Sequence, residues 1–166
     1  DKGETTFCQV DDWDRKGIFF EFGYLWQASC PPQWNLQRLF SPKGFKILIN
    51  KDGEDLSDEI EELNDSMPVD GHISVIGKIK EMLARDLGNA LLKAKSLCKD
   101  KSIELEATAK SEAIEAFKAE IQRLMVLKEI DEERVAKRIK QLQGFAMSLD
   151  ETLGKIPLRL ETFRLI

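Results

Sequence analysis

The strongest constraint on the fold is a heptad pattern of apolar residues near the end of the sequence. Apolar side chains recur there at spacings of four and three residues over about four heptads. These residues are Val135, Ile139, Leu142, Ala146, Leu149, Leu153, Ile156, Leu160 and Phe163. A helix with such a narrow apolar stripe must pack it against another helix, either in its own chain or in a partner. The pattern therefore predicts a long helix in a bundle, a hairpin or an oligomer.

Pro157 interrupts this pattern, because proline removes a backbone donor and clashes with the carbonyl group of Leu153. The helix should therefore stop or kink near Ile156. Since Leu160 and Phe163 keep the heptad spacing, we interpret the tail as a kinked continuation of the helix. A terminal strand is the alternative.

The beginning of the sequence has a different pattern, in which aromatic residues predominate. Ten of the thirteen aromatic residues lie within the first 45 positions. Residues 17–27 place apolar side chains at every second position, which is the period of a strand. Further strands are predicted over residues 5–10 and 45–49, and a turn at 14–17 would join the first two strands as an antiparallel hairpin. These patterns predict a small antiparallel sheet of three strands.

Helical patterns dominate from residue 54 onwards. A short acidic helix is predicted over residues 56–63, and a long helix with one apolar face over residues 72–99. A further helical segment covers residues 103–124. The polar residues 100–102 either form a turn before this segment or belong to one continuous helix. Asp131 is expected to cap the last helix, which carries the heptad pattern.

These patterns together predict an α+β fold, in which a small N-terminal antiparallel sheet is followed by a three-helix bundle or a long coiled helical hairpin. We expect an aromatic-rich β segment over residues 1–53, an acidic helix and linker over residues 54–70, and a helical bundle over residues 71–166. The β segment and the bundle are expected to form one continuous domain, because a three-stranded sheet needs cover on its aromatic face.

The sequence contains no motif for catalysis or for cofactor binding. His72 is the only histidine, which excludes zinc sites with two histidines and proton relays through paired imidazoles. The three cysteines are widely spaced without a CxxC motif, and no glycine-rich phosphate-binding motif occurs. We therefore expect no enzyme activity, no cofactor and no metal. A small ligand-binding protein or enzyme with a site between sheet and helices is one alternative.

Residues 50–61 invite comparison with a calcium-binding loop. Asn50, Asp52, Glu54 and Glu61 would supply oxygen ligands at suitable positions. However, Asp55 stands where such a loop needs glycine, and a strand precedes the loop where a helix should be. A turn that leads into an acidic helix explains the same residues and is the preferred interpretation.

The heptad stripe and two tryptophans are candidates for contact with another protein. Trp13 and Trp34 lie outside the strand pattern and are expected in loops, where they could be exposed. Leu142, Leu149 and Leu153 belong to the stripe, which is longer than a compact domain of this size needs. We therefore predict a non-enzymatic interaction module, such as an adaptor, inhibitor or assembly subunit. Its partner would be a second copy, as a homodimer, or a different protein.

Two basic stretches provide an alternative binding surface for nucleic acid. One lies at the end of a helical segment and the other at the start of the last helix, so that a bundle could bring them side by side. The residues are Lys93, Lys95, Lys99, Arg134, Lys137 and Arg138. A net charge of −5 and the absence of a known reading motif make nucleic acid the less favoured partner.

Cellular location is only weakly indicated by the sequence. No apolar run reaches the roughly 18 residues that a membrane-spanning helix requires, and the first residues are too polar for a signal peptide. Cysteines without a disulfide pattern favour a reducing compartment. We therefore expect a cytoplasmic protein.

Overall fold

The computed structural model describes residues 4–27, 42–66, 68–127, 131–153 and 158–166, apart from the side chains of Ile73 and Ile79. The strands are β1 (Glu4–Gln9), β2 (Phe19–Trp26), β3 (Lys43–Asn50), β4 (Val69–Asp70) and β5 (Leu158–Leu165). The helices are α1 (Ile60–Asp65), α2 (Ile73–Val126) and α3 (Glu132–Leu153), and a 3₁₀ turn at Ser57–Glu59 precedes α1. The predicted α+β class is confirmed.

The chain divides into two compact units. The first, termed the sheet unit, comprises Asp1–Trp26, Gly44–Lys101 and Leu158–Ile166. The second, termed the hairpin unit, comprises Gln27–Lys43 and Ser102–Pro157. Helix α2 contributes its first half to the sheet unit and its second half to the hairpin unit.

The sheet has five strands in the order β3-β2-β5-β1-β4. Strand β5 runs antiparallel to β2 and parallel to β1, and β4 pairs antiparallel with β1. The expected three-stranded antiparallel sheet with a β1–β2 hairpin is therefore wrong, because β5 lies between those two strands. Gly23 is needed within this pairing, since a Cβ atom there would overlap the hydroxyl group of Thr162 on β5.

The tail after Pro157 is strand β5, so its interpretation as a kinked helix is wrong and the terminal-strand alternative is correct. Leu160 and Phe163 fit the heptad spacing but belong to the sheet, where Phe163 lies opposite Phe22 of β2. The physical reason is non-local. A tail that can pair with a strand on each side satisfies its backbone donors and acceptors without a helix that proline would disrupt.

Both faces of the sheet are covered, which explains why nearly every residue of β2 is buried. On one face, the side chains of β2 and β3 pack against small residues of α2 and against β5. These core residues are Phe20, Phe22, Tyr24, Ile47, Ile49, Ala90, Ala94, Cys98 and Leu165. On the other face, Phe19 and Leu48 pack with Trp13, Leu56 and Leu63. The aromatic β segment is thus core on both sides.

Helix α2 continues through residues 100–102, where a turn was one of the two possibilities. Within the described residues, the helical part is therefore a long hairpin of α2 and α3 rather than a three-helix bundle. None of the described helices is both long enough and apolar enough to cross a membrane.

In the hairpin unit, α3 runs antiparallel to the second half of α2. Phe117 packs against Phe145 with ring centroids 6.5 Å apart, and Lys110 forms an ion pair with Asp150, so rising numbers on one helix meet falling numbers on the other. The buried side chains are Ala109, Ala113, Phe117 and Leu124 of α2 and Val135, Leu142, Leu149 and Leu153 of α3. Four residues of the heptad stripe, Val135, Leu142, Leu149 and Leu153, are thus buried within their own chain.

Two predicted details of the last helix can be compared with the structure. The predicted cap is confirmed, because the backbone amide of Arg134 donates to Oδ1 of Asp131 at 3.1 Å. Ala146, however, is exposed, and the neighbouring Phe145 is partly buried in its place. Burial of Phe145 is favoured over burial of Ala146 because the larger side chain removes more apolar surface from water.

Candidate functional site

An open hollow of about 750 Å³ lies where α2 ends and α3 begins. Its lining comes from the last turns of α2 and the first turns of α3, all within the hairpin unit. The lining residues are Glu120, Arg123, Leu124, Leu127, Asp131, Arg134, Val135, Lys137, Arg138 and Gln141. Together with Met125 and Val126, which are exposed at the same end of α2, they are termed the hairpin tip.

Helical periodicity explains why these residues converge. At the end of α2, Arg123, Leu124 and Leu127 follow Glu120 by three, four and seven residues. This spacing places the side chains on one side of a helix. On α3 the residues from Arg134 to Gln141 repeat the same spacing. Two antiparallel helices that turn these sides towards each other at their shared end enclose the hollow from both sides.

The hairpin tip carries a surplus of positive charge, with four basic and two acidic side chains. Glu120 accepts two hydrogen bonds from Arg123, from Nε and Nη2, each at 2.8 Å. This pairing lowers the pKa of the Glu120 carboxyl group, to which the charge of Arg138 adds a smaller effect. Glu120 therefore stays anionic and neutralises Arg123, which leaves the charges on α3 to define the field of the hollow.

The basic residues of α3 are less engaged. Arg138 donates from Nη1 to Oε1 of the neutral Gln141 at 3.3 Å and forms no ion pair within the described part of the chain. Within the described part of the chain, the side chains of Arg134 and Lys137 form no ion pair. These three cations can therefore attract an acidic partner.

Beside the hollow, the end of α2 exposes three consecutive apolar residues. The exposed fractions are 59% for Met125, 80% for Val126 and 37% for Leu127. Consecutive residues of a helix point in different directions, and of these three Leu127 lines the hollow. Exposed apolar side chains near charged ones are a feature of many protein-binding surfaces. The arrangement can bind a partner that combines apolar and acidic side chains.

The structure places four of the five predicted partner-binding residues in the interior. Leu142, Leu149 and Leu153 are buried in the hairpin unit, so a role in partner binding would require the hairpin to open. Trp13 is only 6% exposed and packs against Phe19 at 4.7 Å between ring centroids, so the expectation of an exposed Trp13 is wrong. Trp34 lies outside the described residues.

The predicted basic patch is divided between the two units. Arg134, Lys137 and Arg138 belong to the hairpin tip, whereas Lys93, Lys95 and Lys99 are exposed on α2 in the sheet unit. A single patch of all six residues stays a prediction; α2 is continuous at residues 100–102, where a turn was one possibility. Sequence reasoning missed Arg123 and the apolar end of α2, although the three-four-seven spacing marks the side of α2 on which Arg123 lies.

The residues that invited a calcium-loop reading form a tight turn. Oδ1 of Asn50 accepts hydrogen bonds from the backbone amides of Asp52 and Glu54 at 3.0 and 2.9 Å, and Gly53 adopts a φ of 84°. This turn leads into the acidic helix α1, as the preferred interpretation of the sequence predicted. Across the described ranges, no three His, Cys, Asp or Glu side chains are grouped so that they could hold a metal ion.

A second cavity, of about 350 Å³, lies between the sheet and α2 within the sheet unit. Its described lining is almost entirely apolar, with the hydroxyl groups of Thr5 and Thr6 as the polar side-chain groups. A catalytic site needs several convergent polar groups. This cavity therefore gives little support to the alternative of an enzyme with a site between sheet and helices.

Comparison with known proteins identifies the family. All 166 residues match the family model described as RNA polymerase recycling family C-terminal, RapA_C. The chain is similar to proteins named RNA polymerase-associated protein RapA, with 26% identity in Yersinia enterocolitica and 25% in Yersinia pestis and Yersinia pseudotuberculosis. Each alignment covers 99% of this chain and 18% of the relative, so the chain spans less than a fifth of those proteins. Because the family model matches the whole sequence, the chain belongs to the RNA polymerase recycling family and corresponds to its C-terminal region.

Proposed function

We propose that this chain is a non-enzymatic protein-binding module that uses the hairpin tip to contact RNA polymerase. The relatives are named for their association with RNA polymerase, which supplies the partner in this proposal. The observation that carries the proposal is the exposed apolar end of α2 beside a cationic hollow.

The chemistry of the hairpin tip fits a protein partner in two respects. Met125 and Val126 provide apolar area that leaves water on binding, which supplies most of the free energy of association. Arg134 and Arg138 line the hollow together with Leu124 and Leu127, and arginine is enriched among the residues that dominate binding energy at protein interfaces. The partner surface should therefore combine apolar residues with acidic ones.

The heptad stripe has a supporting role in this proposal. Four of its residues on α3, Val135, Leu142, Leu149 and Leu153, are buried in the hairpin and hold together the two helix ends that form the hollow. These four side chains are therefore less suited than the tip to bind a second copy or another protein. We therefore propose that the tip, rather than the stripe, contacts the partner.

The test compares two identical substitutions in the hairpin unit. Met125→Glu places a charge at the apolar end of α2, whereas Met147→Glu places it on α3, where Met147 is 85% exposed and lies outside the tip. Binding of the 166-residue chain to purified RNA polymerase is measured by interferometry. We expect Met125→Glu to weaken binding at least tenfold and Met147→Glu to leave it within about twofold, since an apolar contact at an interface core contributes about 1–2 kcal/mol or more.

Circular dichroism checks that both variants keep their helices. Equal affinity of both variants would refute a role of the tip. A concentration-dependent mass in the absence of polymerase, lost in Met125→Glu, would instead make a second copy of this chain the partner. Failure of the unmodified chain to bind polymerase would refute the proposed partner.

A further inference from the structure

The two walls of the hollow at the hairpin tip differ in chemistry. On the side of α2, the apolar side chains of Leu124 and Leu127 line the hollow. The charged residues of this wall, Glu120 and Arg123, form an ion pair at 2.8 Å and neutralise each other. The wall from α2 therefore offers apolar surface without a surplus of charge.

The wall from α3 is cationic. Among the described residues, Arg134 and Lys137 form no ion pair, and Arg138 donates a hydrogen bond to the neutral Gln141. Asp131, the acidic residue on this side, accepts a hydrogen bond from the first turn of α3 as its cap. The three cations lie within four residues on one side of the helix, over roughly 6 Å along its axis. This wall therefore has positive charge for which the hollow provides little compensation.

The backbone of a partner finds no strand with which to pair at the hairpin tip. The described part of the tip consists of the ends of α2 and α3 and has no strand edge. An extended peptide bound there would lose the water that satisfies its amide and carbonyl groups without gaining a ladder of hydrogen bonds. A helix satisfies these groups internally, and its side chains can pack into the groove between two other helices. The hollow is therefore better suited to a helix than to an extended segment.

We propose that the hollow binds an acidic amphipathic helix of RNA polymerase, which packs between the ends of α2 and α3. This inference rests on the proposed function, which supplies the polymerase, and it adds the kind of element that is bound. The apolar side of the bound helix packs on Leu124 and Leu127, and its carboxylates contact Arg134, Lys137 and Arg138. Because these cations lie within about one turn, the carboxylates that contact them are three or four residues apart.

The two walls contribute differently to the rates of binding. Attraction between the cations of α3 and the carboxylates of the partner acts before contact, so it mainly raises the association rate. Salt screens this attraction, since the screening length is about 10 Å at 0.1 M ionic strength. Loss of the cations should therefore slow association, and the effect should become smaller as the salt concentration rises.

The first test measures association of the 166-residue chain with purified RNA polymerase by interferometry, at about 50 and 200 mM salt. The variant Arg134→Glu/Lys137→Glu reverses two charges of the α3 wall. Acidic side chains near the start of a helix are compatible with its dipole, so the variant should keep α3, which circular dichroism checks. We expect its association rate and affinity to fall roughly tenfold or more at the lower salt concentration and by less at the higher one.

The matched control, Lys118→Glu/Lys140→Glu, makes the same change in net charge at exposed lysines of the hairpin unit that do not line the hollow. We expect its affinity to stay within about threefold of the unmodified chain, because salt screens charges that do not contact the partner. Equal losses in both variants would overturn the acidic helix, since net charge alone would then explain them. If Met125→Glu weakened binding but Arg134→Glu/Lys137→Glu did not, the tip would remain the binding site and only this inference would fail. Failure of the unmodified chain to bind polymerase would overturn both.

The second test identifies the bound element by carbodiimide cross-linking and mass spectrometry of the complex. This reagent joins a lysine ammonium group directly to a carboxylate in contact with it, and Lys137 is the only lysine among the lining residues. We expect Lys137 to be linked to an acidic residue in a helix of polymerase with a second acidic residue three or four positions away, and Lys140 not to be linked to that helix. A link from Lys137 to a loop or a strand, or no link from Lys137 in a complex that forms, would overturn the proposal.

Discussion

The sheet unit and the hairpin unit use the same helix but bury it against different kinds of partner. In the sheet unit, α2 lays Ala90 and Ala94 against aromatic side chains of strands that are distant in the sequence. In the hairpin unit, the same helix buries Ala109 and Ala113 in a core that includes leucines of the helix that follows it. In each core, α2 thus contributes a pair of alanines that are one turn apart. Such small side chains indicate where another element packs closely against a helix. They do not indicate whether that element is a strand or a helix.

The largest predicted effect concerns the aromatic core of the sheet unit. Phe22 is buried on β2 and packs against Phe163 of β5 at 5.4 Å between ring centroids. We expect Phe22→Ala to lower the free energy of unfolding by about 3–5 kcal/mol, because it removes a large buried side chain and leaves a cavity. Urea denaturation followed by the fluorescence of the tryptophans measures this effect.

The corresponding change in the hairpin unit tests whether the two cores differ. Leu149→Ala removes a fully buried leucine and should cost about 2–5 kcal/mol. Amide hydrogen exchange of α3 reports this unit, whereas exchange of β2 reports the other. If Phe22→Ala loosened α3 as strongly as β2, the division into two units would have no energetic counterpart.

The difference between the units also explains what the sequence could predict. Periodicity and the cap of α3 are local features, so the helices, the strands of the first 50 residues and Asp131 followed from short stretches of sequence. Strand β5 did not, because its partners lie about 140 positions away and its apolar spacing also fits a helix. Long-range pairing of this kind leaves no pattern in a single sequence.

The candidate site was predictable to a similar degree. The basic residues at the start of α3 were identified from composition, but their neighbours depend on which side of α2 faces α3. Trp13 was misjudged because a tryptophan outside a strand pattern can still be covered by a neighbouring element, here in a core with Leu56 and Leu63. The burial of a loop residue depends on tertiary contacts rather than on its own segment.

The ion pairs give a second, smaller contrast between the units. In the sheet unit, the carboxylate of Glu21 is 3% exposed and accepts a hydrogen bond from Nη2 of Arg164 at 2.6 Å, with Nζ of Lys46 at 3.1 Å. We expect Arg164→Met to cost about 2–4 kcal/mol, because it leaves a buried carboxylate with one cationic partner fewer. Thermal denaturation measures the loss.

The matched ion pair in the hairpin unit is Lys110 with Asp150, both well exposed. Asp150→Asn should change the free energy of unfolding by less than about 1 kcal/mol, because water and salt screen an exposed pair. Similar losses in Arg164→Met and Asp150→Asn would show that burial does not distinguish the two pairs. A double variant, Glu21→Gln/Arg164→Met, should recover part of the loss if the unpaired charge is its cause.

The last predicted effect is absent at neutral pH, is confined to the sheet unit and appears only at alkaline pH. Burial raises the pKa of Tyr24 from 10.0 to about 12, with a smaller contribution from Cys98, and burial raises the pKa of Cys98 from 9.0 to about 11. The folded protein therefore keeps two protons that the unfolded chain releases. This contribution to stability is complete below about pH 9 and is lost as the pH rises towards 12, by an amount on the order of 2–3 kcal/mol for each group.

Tyr24→Phe isolates the contribution of the tyrosine, which is the only one in the chain. Its hydroxyl group is buried without a hydrogen-bond partner in the described structure, so the substitution should be nearly neutral at pH 7. At pH 11 the variant should retain more of its stability than the unmodified chain, and tyrosinate absorbance of the unmodified chain should appear only as it unfolds. Residues 102–157 contain neither tyrosine nor cysteine, so amide exchange of α3 should show no such difference between the variant and the unmodified chain. An equal alkaline loss in Tyr24→Phe would mean that burial of this hydroxyl group does not distinguish the sheet unit from the hairpin.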